Sequence, residues 1–185
     1  MIRPRFVCIF LFLCSTERFS SKEEIFNTLA ADVLENCIRM VQKEAGGESP
    51  LYQYAAVLLV EMEAIARDER VRELYQEAYT SPAMFEAAVN RHVRLEMKIF
   101  GESYGKLFKE DEILARNYMV KGAMGGFINS FYFKDQPPVE EAEFLLLSLT
   151  FRVLGSKKKD ILPMLKSLDR KREVWAMMAK GILKK

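Results

Sequence analysis

Two helix-start signals of the same kind, Ser49 with Pro50 and Ser81 with Pro82, constrain this sequence more than any other feature. A serine hydroxyl can cap the free amides of a first helical turn, and proline fits the first helical position, where an N–H would have no partner. Behind Pro50, apolar residues recur at helical spacing, and no strand-like alternation appears along the chain. These signals predict an all-α fold, a helical bundle of six to seven helices.

The first predicted helix is long. A capping box marks its start, formed either by Ser21 with Glu24 or by Ser20 with Glu23, and the glycine pair that begins at Gly46 marks its end. Further along, the stretch that ends before Pro137 and Pro138 predicts another helix. The stretch that follows these two prolines predicts a strongly apolar helix.

The last thirty residues, from 156 to 185, hold ten Lys or Arg against three Asp or Glu, although the formal charge of the whole chain is only +2. Pro163 is expected to separate a short turn from a basic amphipathic helix. The preferred interpretation of this basic end is a solvated helix face; nucleic acid or anionic lipid are the alternative partners.

Cysteine and histidine usage limits the possible chemistry. The three cysteines, at positions 8, 14 and 37, form no C-x-x-C pair, and His92 is the only histidine. Neither a disulfide framework nor a zinc site of the usual spacing can be built from them. The sequence therefore predicts no catalytic residue, no metal and no cofactor, and its reduced thiols suit a cytoplasmic protein.

The N-terminal segment "MIRPRFVCIFLFLC" gives a competing signal. Arg3 and Arg5 precede an apolar run that resembles a short secretory leader. No small-residue cleavage site follows, and the run is far shorter than the ~20 residues needed to span a bilayer. A secreted or membrane-anchored helical protein that uses residues 1–14 as a leader is the alternative function.

The segment "RFSSKEEIFNTL" resembles the point where proteins of the tetracycline-repressor (TetR) family leave their DNA-reading helix and enter a long connecting helix. The order of the helices downstream is also similar to that family's effector-binding and dimerisation domain, over residues 19–185. The resemblance implies a transcriptional regulator, a homodimer that senses a small, mostly apolar effector. The residues that carry the motif are Phe19, Ser21, Lys22, Glu23, Glu24, Ile25 and Phe26.

The chain departs from the family pattern ahead of this motif. Family members place about three helices there, with the turn of the helix-turn-helix inside them. Residues 1–18 are too few for that, so we expect a remnant or mis-framed leader, produced by a truncated gene model, a frameshift just before Glu17 or real loss. No DNA-binding residue is predicted, and DNA is a partner only if an intact helix-turn-helix is present upstream.

The candidate effector site centres on the helix that begins at Pro82. His92 and Glu96 lie four residues apart in its apolar stripe and are expected to satisfy each other. They are either a closed core pair or part of an effector cavity, and the TetR resemblance raises the second interpretation without deciding between them. The candidate ligand-binding residues are Met62, Phe85, His92, Glu96, Asn117 and Met124.

The candidate dimer interface combines a glycine-bearing helix with the apolar helix after the prolines. The stretch "GAMGGF" follows no strand, so close helix packing explains its glycines better than a phosphate loop does. The run from 144 to 149 is apolar almost all round, which predicts cover on more than one side. The candidate interface residues are Gly122, Gly126, Phe144, Leu145, Leu146 and Leu149.

Overall fold

A computed structural model describes residues 22–101 and 108–183, and this part of the chain folds into eight α-helices without a strand. The all-α prediction is therefore confirmed, with one helix more than expected. The residues 1–18 and the serines of the expected capping box lie outside the described residues. The helices are α1 (Lys22–Ala45), α2 (Pro50–Arg67), α3 (Glu69–Thr80), α4 (Pro82–Phe100), α5 (Glu110–Ser130), α6 (Val139–Val153), α7 (Lys158–Asp169) and α8 (Arg172–Gly181).

The predicted helix boundaries hold at three places. The Ser49 hydroxyl accepts a hydrogen bond from the Tyr52 amide at 3.3 Å, and the Ser81 hydroxyl accepts one from the Met84 amide at 3.4 Å. Helix α1 ends at Ala45, directly before the glycine pair. Serine capping and proline at the first position thus act as the sequence predicts.

Helix α2 is the centre of the bundle. Almost every side chain from Tyr52 to Ile65 is buried, because α1, α3, α4, α6, α7 and α8 all pack against this helix. Helix α8 covers it near Tyr52, whose ring lies 6.5 Å from that of Trp175, and the Trp175 indole donates to the Leu168 carbonyl at 3.0 Å. A charged side chain between Tyr52 and Ile65 must therefore find its partners inside the protein.

The predicted break at Pro163 is wrong. Helix α7 runs through this proline, and the chain turns instead at Arg170 and Lys171. A proline inside a helix removes one hydrogen bond, here the one to the Lys159 carbonyl. Both residues are exposed, so water can satisfy that carbonyl and the helix continues.

Candidate functional site

A buried ionic cluster joins four helices around Glu61 of α2. The Tyr75 hydroxyl of α3 donates to Glu61 Oε1 at 2.6 Å. The other carboxylate oxygen, Oε2, lies 3.5 Å from Lys121 Nζ of α5 and 3.5 Å from His92 Nε2 of α4. All four side chains are buried, and Lys121 is only 1% exposed. We call these four residues the Glu61 cluster.

The electrostatics of the Glu61 cluster keep the carboxylate charged and the imidazole neutral. Burial acts to raise the pKa of Glu61, but Lys121 and His92, together with the Tyr75 hydrogen bond, lower it to about 2. Burial and the positive charge of Lys121 lower the pKa of His92 to about 4, against the opposing effect of Glu61. At neutral pH the cluster therefore contains an ionised carboxylate and an uncharged histidine. Burial lowers the pKa of Lys121, and the charge of Glu61 opposes this fall.

A cavity of about 20 Å³ adjoins the Glu61 cluster. Two further polar side chains line it. The Tyr79 hydroxyl is buried and has no hydrogen-bond partner among the described residues. The half-buried Arg91 donates to Asn27 Oδ1 at 3.4 Å. The remaining wall is small or apolar and consists of Ala30, Leu34, Ala78 and Ala88.

The expected pairing of His92 with Glu96 is wrong. His92 Nε2 faces Glu61, and its Nδ1 has no hydrogen-bond partner in residues 22–101 and 108–183. Glu96 Oε2 instead accepts a hydrogen bond from Asn117 Nδ2 at 2.8 Å. The two residues share a face of α4, but α2 and α5 each bring a closer partner to one of them.

The other predicted ligand residues lie outside the wall of this cavity. Met62 and Met124 are fully buried in the apolar core, and Asn117 is fully buried beside Glu96. Phe85 is half-buried and packs against the rings of Tyr79 and Tyr118. Of the six predicted residues, His92 is the one that lines the 20 Å³ cavity in the described part of the chain.

The sequence interpretation missed Glu61, Tyr79, Arg91 and Lys121. One signal was present for the first of these, because "YAAVLLVEMEAIA" places two glutamates in an otherwise apolar helix. A helix that is apolar on all sides is buried, and a buried charge needs a partner.

A second ionic cluster, the Glu143 cluster, joins α2, α6 and α8, and it pairs two buried carboxylates with two partly exposed arginines. Arg172 Nη1 lies 2.7 Å from Glu143 Oε2 and 3.3 Å from Glu63 Oε1, and Arg67 Nε lies 2.5 Å from Glu63 Oε2. Burial raises the pKa of Glu143 to about 7; hydrogen bonding to Arg172 opposes this rise, and the charge of Glu63 adds to it. We define the cluster by Glu63, Arg67, Glu143 and Arg172.

The outward side of α5 and α6 is apolar. Met119 is 64% exposed and Leu145 is 61% exposed, and a Cβ added at Gly122 or Gly126 would meet no atom within 4 Å. The two helices pack against each other, so their exposed side chains lie on neighbouring elements. We call this surface the outer face and define it by Leu114, Tyr118, Met119, Gly122, Gly126, Phe144, Leu145 and Leu149.

Two details of the predicted interface need correction. Leu146 is only 5% exposed and packs in the core of its own chain, so it is not available to a second copy. The close approach within the chain occurs at Gly125, where an added Cβ would lie 3.1 Å from the Tyr79 ring. Gly122 and Gly126, by contrast, are exposed.

Comparison with protein-family models, with curated proteins and with solved structures finds no match to this chain. Among the described residues, no helix is long and apolar enough to cross a membrane. The same part of the chain holds no group of three His, Cys, Asp or Glu side chains placed to bind a metal ion.

Proposed function

We propose that this protein is a homodimeric, effector-sensing domain of the TetR type, that it acts in the cytoplasm, and that it has no enzymatic activity. The observation that carries the proposal is that α5 contributes both to buried polar contacts and to the outer face. Its inward side brings Asn117 and Lys121 to buried polar partners, and its outward side carries Tyr118, Met119 and Gly122 on the outer face.

The outer face supports a second copy of this chain as its partner. Large contiguous apolar surfaces on soluble proteins mark interaction sites, and two-fold homodimers are the commonest soluble assemblies. Charges at the ends of α6 favour the same arrangement. Glu140 and Glu141 lie in its first turn and Arg152 in its last, so an antiparallel two-fold contact brings the acidic end of one copy beside the basic end of the other.

The sensing role follows from the position of α5 between the Glu61 cluster and the outer face. A ligand that displaces Lys121 displaces the helix that carries Tyr118 and Gly122, and therefore changes the contact between the two copies. Such a change in subunit geometry is the output that the TetR resemblance implies. DNA enters the proposal only if a helix-turn-helix precedes residue 19.

The dimer is tested by placing a charge on the outer face. Leu145→Glu should give a folded monomer, because a two-fold contact buries the new carboxylate twice without a partner. Met177→Glu is the matched control, since Met177 is 71% exposed on α8, away from the outer face. Sedimentation equilibrium measures the mass, and circular dichroism verifies that both variants are folded.

The expected masses are one chain for Leu145→Glu and two chains for the wild type and for Met177→Glu. A monomeric wild type, or a Leu145→Glu variant that remains a dimer, contradicts the assignment of the outer face.

A further inference from the structure

We infer that the cavity beside the Glu61 cluster binds the anionic head group of the effector, a carboxylate whose apolar body lies outside the cavity. This inference rests on the proposed sensing function and specifies the class of ligand. It follows from three properties of the cavity wall: its charge, its surplus of hydrogen-bond donors and its size.

The charge of the wall favours an anion. Among the described residues, two basic side chains line the cavity, Lys121 and Arg91, and one acidic side chain does, Glu61. The second positive charge is therefore not balanced within the cavity. A buried site with one surplus positive charge attracts an anion and repels a cation or an ammonium ligand.

The hydrogen-bonding groups of the wall lead to the same conclusion. One oxygen of Glu61 accepts from Tyr75, and the other has Lys121 Nζ and His92 Nε2 at the long distance of 3.5 Å. An ammonium group carries three N–H bonds and a guanidinium carries five, so donors remain on Lys121 and Arg91. The Tyr79 hydroxyl adds another, since it has no partner in the described part of the chain.

These donors call for an acceptor oxygen. Buried polar groups in folded proteins are almost always hydrogen-bonded, and a carboxylate accepts from several donors at once. Bonds between charged partners are also the stronger kind, which favours an ionised oxygen over a carbonyl or a hydroxyl.

The size of the cavity decides how much of the ligand it can hold. A volume of about 20 Å³ is close to the minimum that admits one water-sized atom. One carboxylate oxygen fits, and an aromatic ring or an alkyl chain does not. The body of the ligand must then lie outside the cavity, beyond a wall that includes the small side chains of Ala30, Ala78 and Ala88.

The experiment compares acids with neutral molecules of the same shape. Calorimetric titration of the full chain uses sodium benzoate against benzamide and sodium octanoate against 1-octanol, at constant ionic strength set with sodium chloride. We expect at least one acid to bind about tenfold more tightly than its neutral partner, the ratio expected when a charge-assisted hydrogen bond replaces a neutral one.

Two variants test the location of the site. Tyr79→Phe removes a hydroxyl without a partner among the described residues, so the fold should tolerate it, and Arg91→Gln removes the half-buried cation of the wall. Each should weaken binding of the acid about tenfold. The matched controls are Tyr132→Phe and Arg94→Gln, whose side chains are exposed and belong neither to the cavity nor to the outer face, and they should bind the acid like the wild type.

The outcomes separate this inference from the proposed function. If the neutral molecules bind as tightly as the acids, or the controls weaken binding as much as the cavity variants, the anion site is refuted while effector sensing survives. If neither acid nor neutral molecule binds to a chain that sedimentation shows to be dimeric, the anion site and effector sensing are both refuted, and the dimer stands.

Discussion

Glu61 and Glu63 lie two residues apart on α2, and both are almost completely buried, yet they belong to ionic clusters of opposite character. Around Glu61, neighbouring donors outweigh burial and hold its pKa near 2. Around Glu63, the two arginines Arg67 and Arg172 are partly exposed, and Arg172 also reaches Glu143, whose pKa is raised to about 7.

The difference shows that burial alone does not determine the protonation of a carboxylate. Burial raises the pKa of Glu61 and Glu143 alike, and the number and position of cationic neighbours decide the net direction. Lys121 is fully enclosed and acts on Glu61, whereas Arg172 is partly exposed and divides its hydrogen bonds between carboxylates. The first cluster is therefore built to keep its charge, and the second can lose it.

The largest expected effect comes from removing the enclosed cation. Lys121→Met should lower the free energy of unfolding by about 3–5 kcal/mol, because it leaves the buried carboxylate of Glu61 without its counter-charge. Adding Glu61→Gln to this variant should restore part of the loss, since no buried charge then remains unpaired. Urea unfolding measures both, with the exposed Lys166→Met as control; a Lys121→Met variant as stable as that control would contradict the proposed pairing.

Removing the partly exposed cation should have a smaller effect. Arg172→Met should lower the free energy of unfolding by roughly 1–3 kcal/mol at pH 8, and by less at pH 5, because Glu143 then takes up a proton instead of remaining an unpaired anion. The same urea measurement at the two pH values checks this, with the exposed Arg170→Met as control. An equal loss at both pH values would show that Glu143 does not protonate.

The smallest effects are opposite pH slopes. His92 has a pKa of about 4 in the fold against an ordinary value of 6.5, so the unfolded chain binds its proton first and stability falls as the pH falls between these values. Glu143 has a pKa of about 7 against 4.5, so the folded chain binds its proton first and stability rises as the pH falls through that range.

Between pH 4.5 and 6.5 the two contributions oppose each other in the wild type. His92→Gln should therefore become more stable on acidification relative to the wild type, and Glu143→Gln less stable, each by at most about 1.4 kcal/mol per pH unit. Thermal or urea unfolding at several pH values measures the slopes. If acidification changed the stability of both variants in the same direction relative to the wild type, the contrast between the clusters would be wrong.

The sequence predicted the helices better than the partners of their side chains. Ser49 and Ser81 cap the helices that they were expected to cap, because capping depends only on residues within one turn. The pairing of His92 with Glu96 failed because helical spacing shows which side chains share a face and says nothing of what other helices bring to it. Lys121 was missed for the same reason, since its partner Glu61 lies sixty positions earlier.

The outer face was predicted in part. Leu145 and Leu146 are adjacent in a helix that is apolar almost all round, so no periodicity distinguishes the inward residue from the outward one. Only the packing of α6 on α2 and α5 makes Leu146 a core residue and leaves Leu145 exposed.

The position of α8 over the central helix has a consequence for how the protein is made. Tyr52 meets Trp175, and Asn36 Nδ2 donates to the Ile182 carbonyl at 3.1 Å, so the early part of the chain is covered by residues that the ribosome adds more than a hundred positions later. Contacts of such long sequence separation form slowly, and apolar surface that waits for them is prone to aggregate. During synthesis, α2 therefore remains incompletely covered until α8 has emerged, and its apolar surface is open to aggregation during this interval.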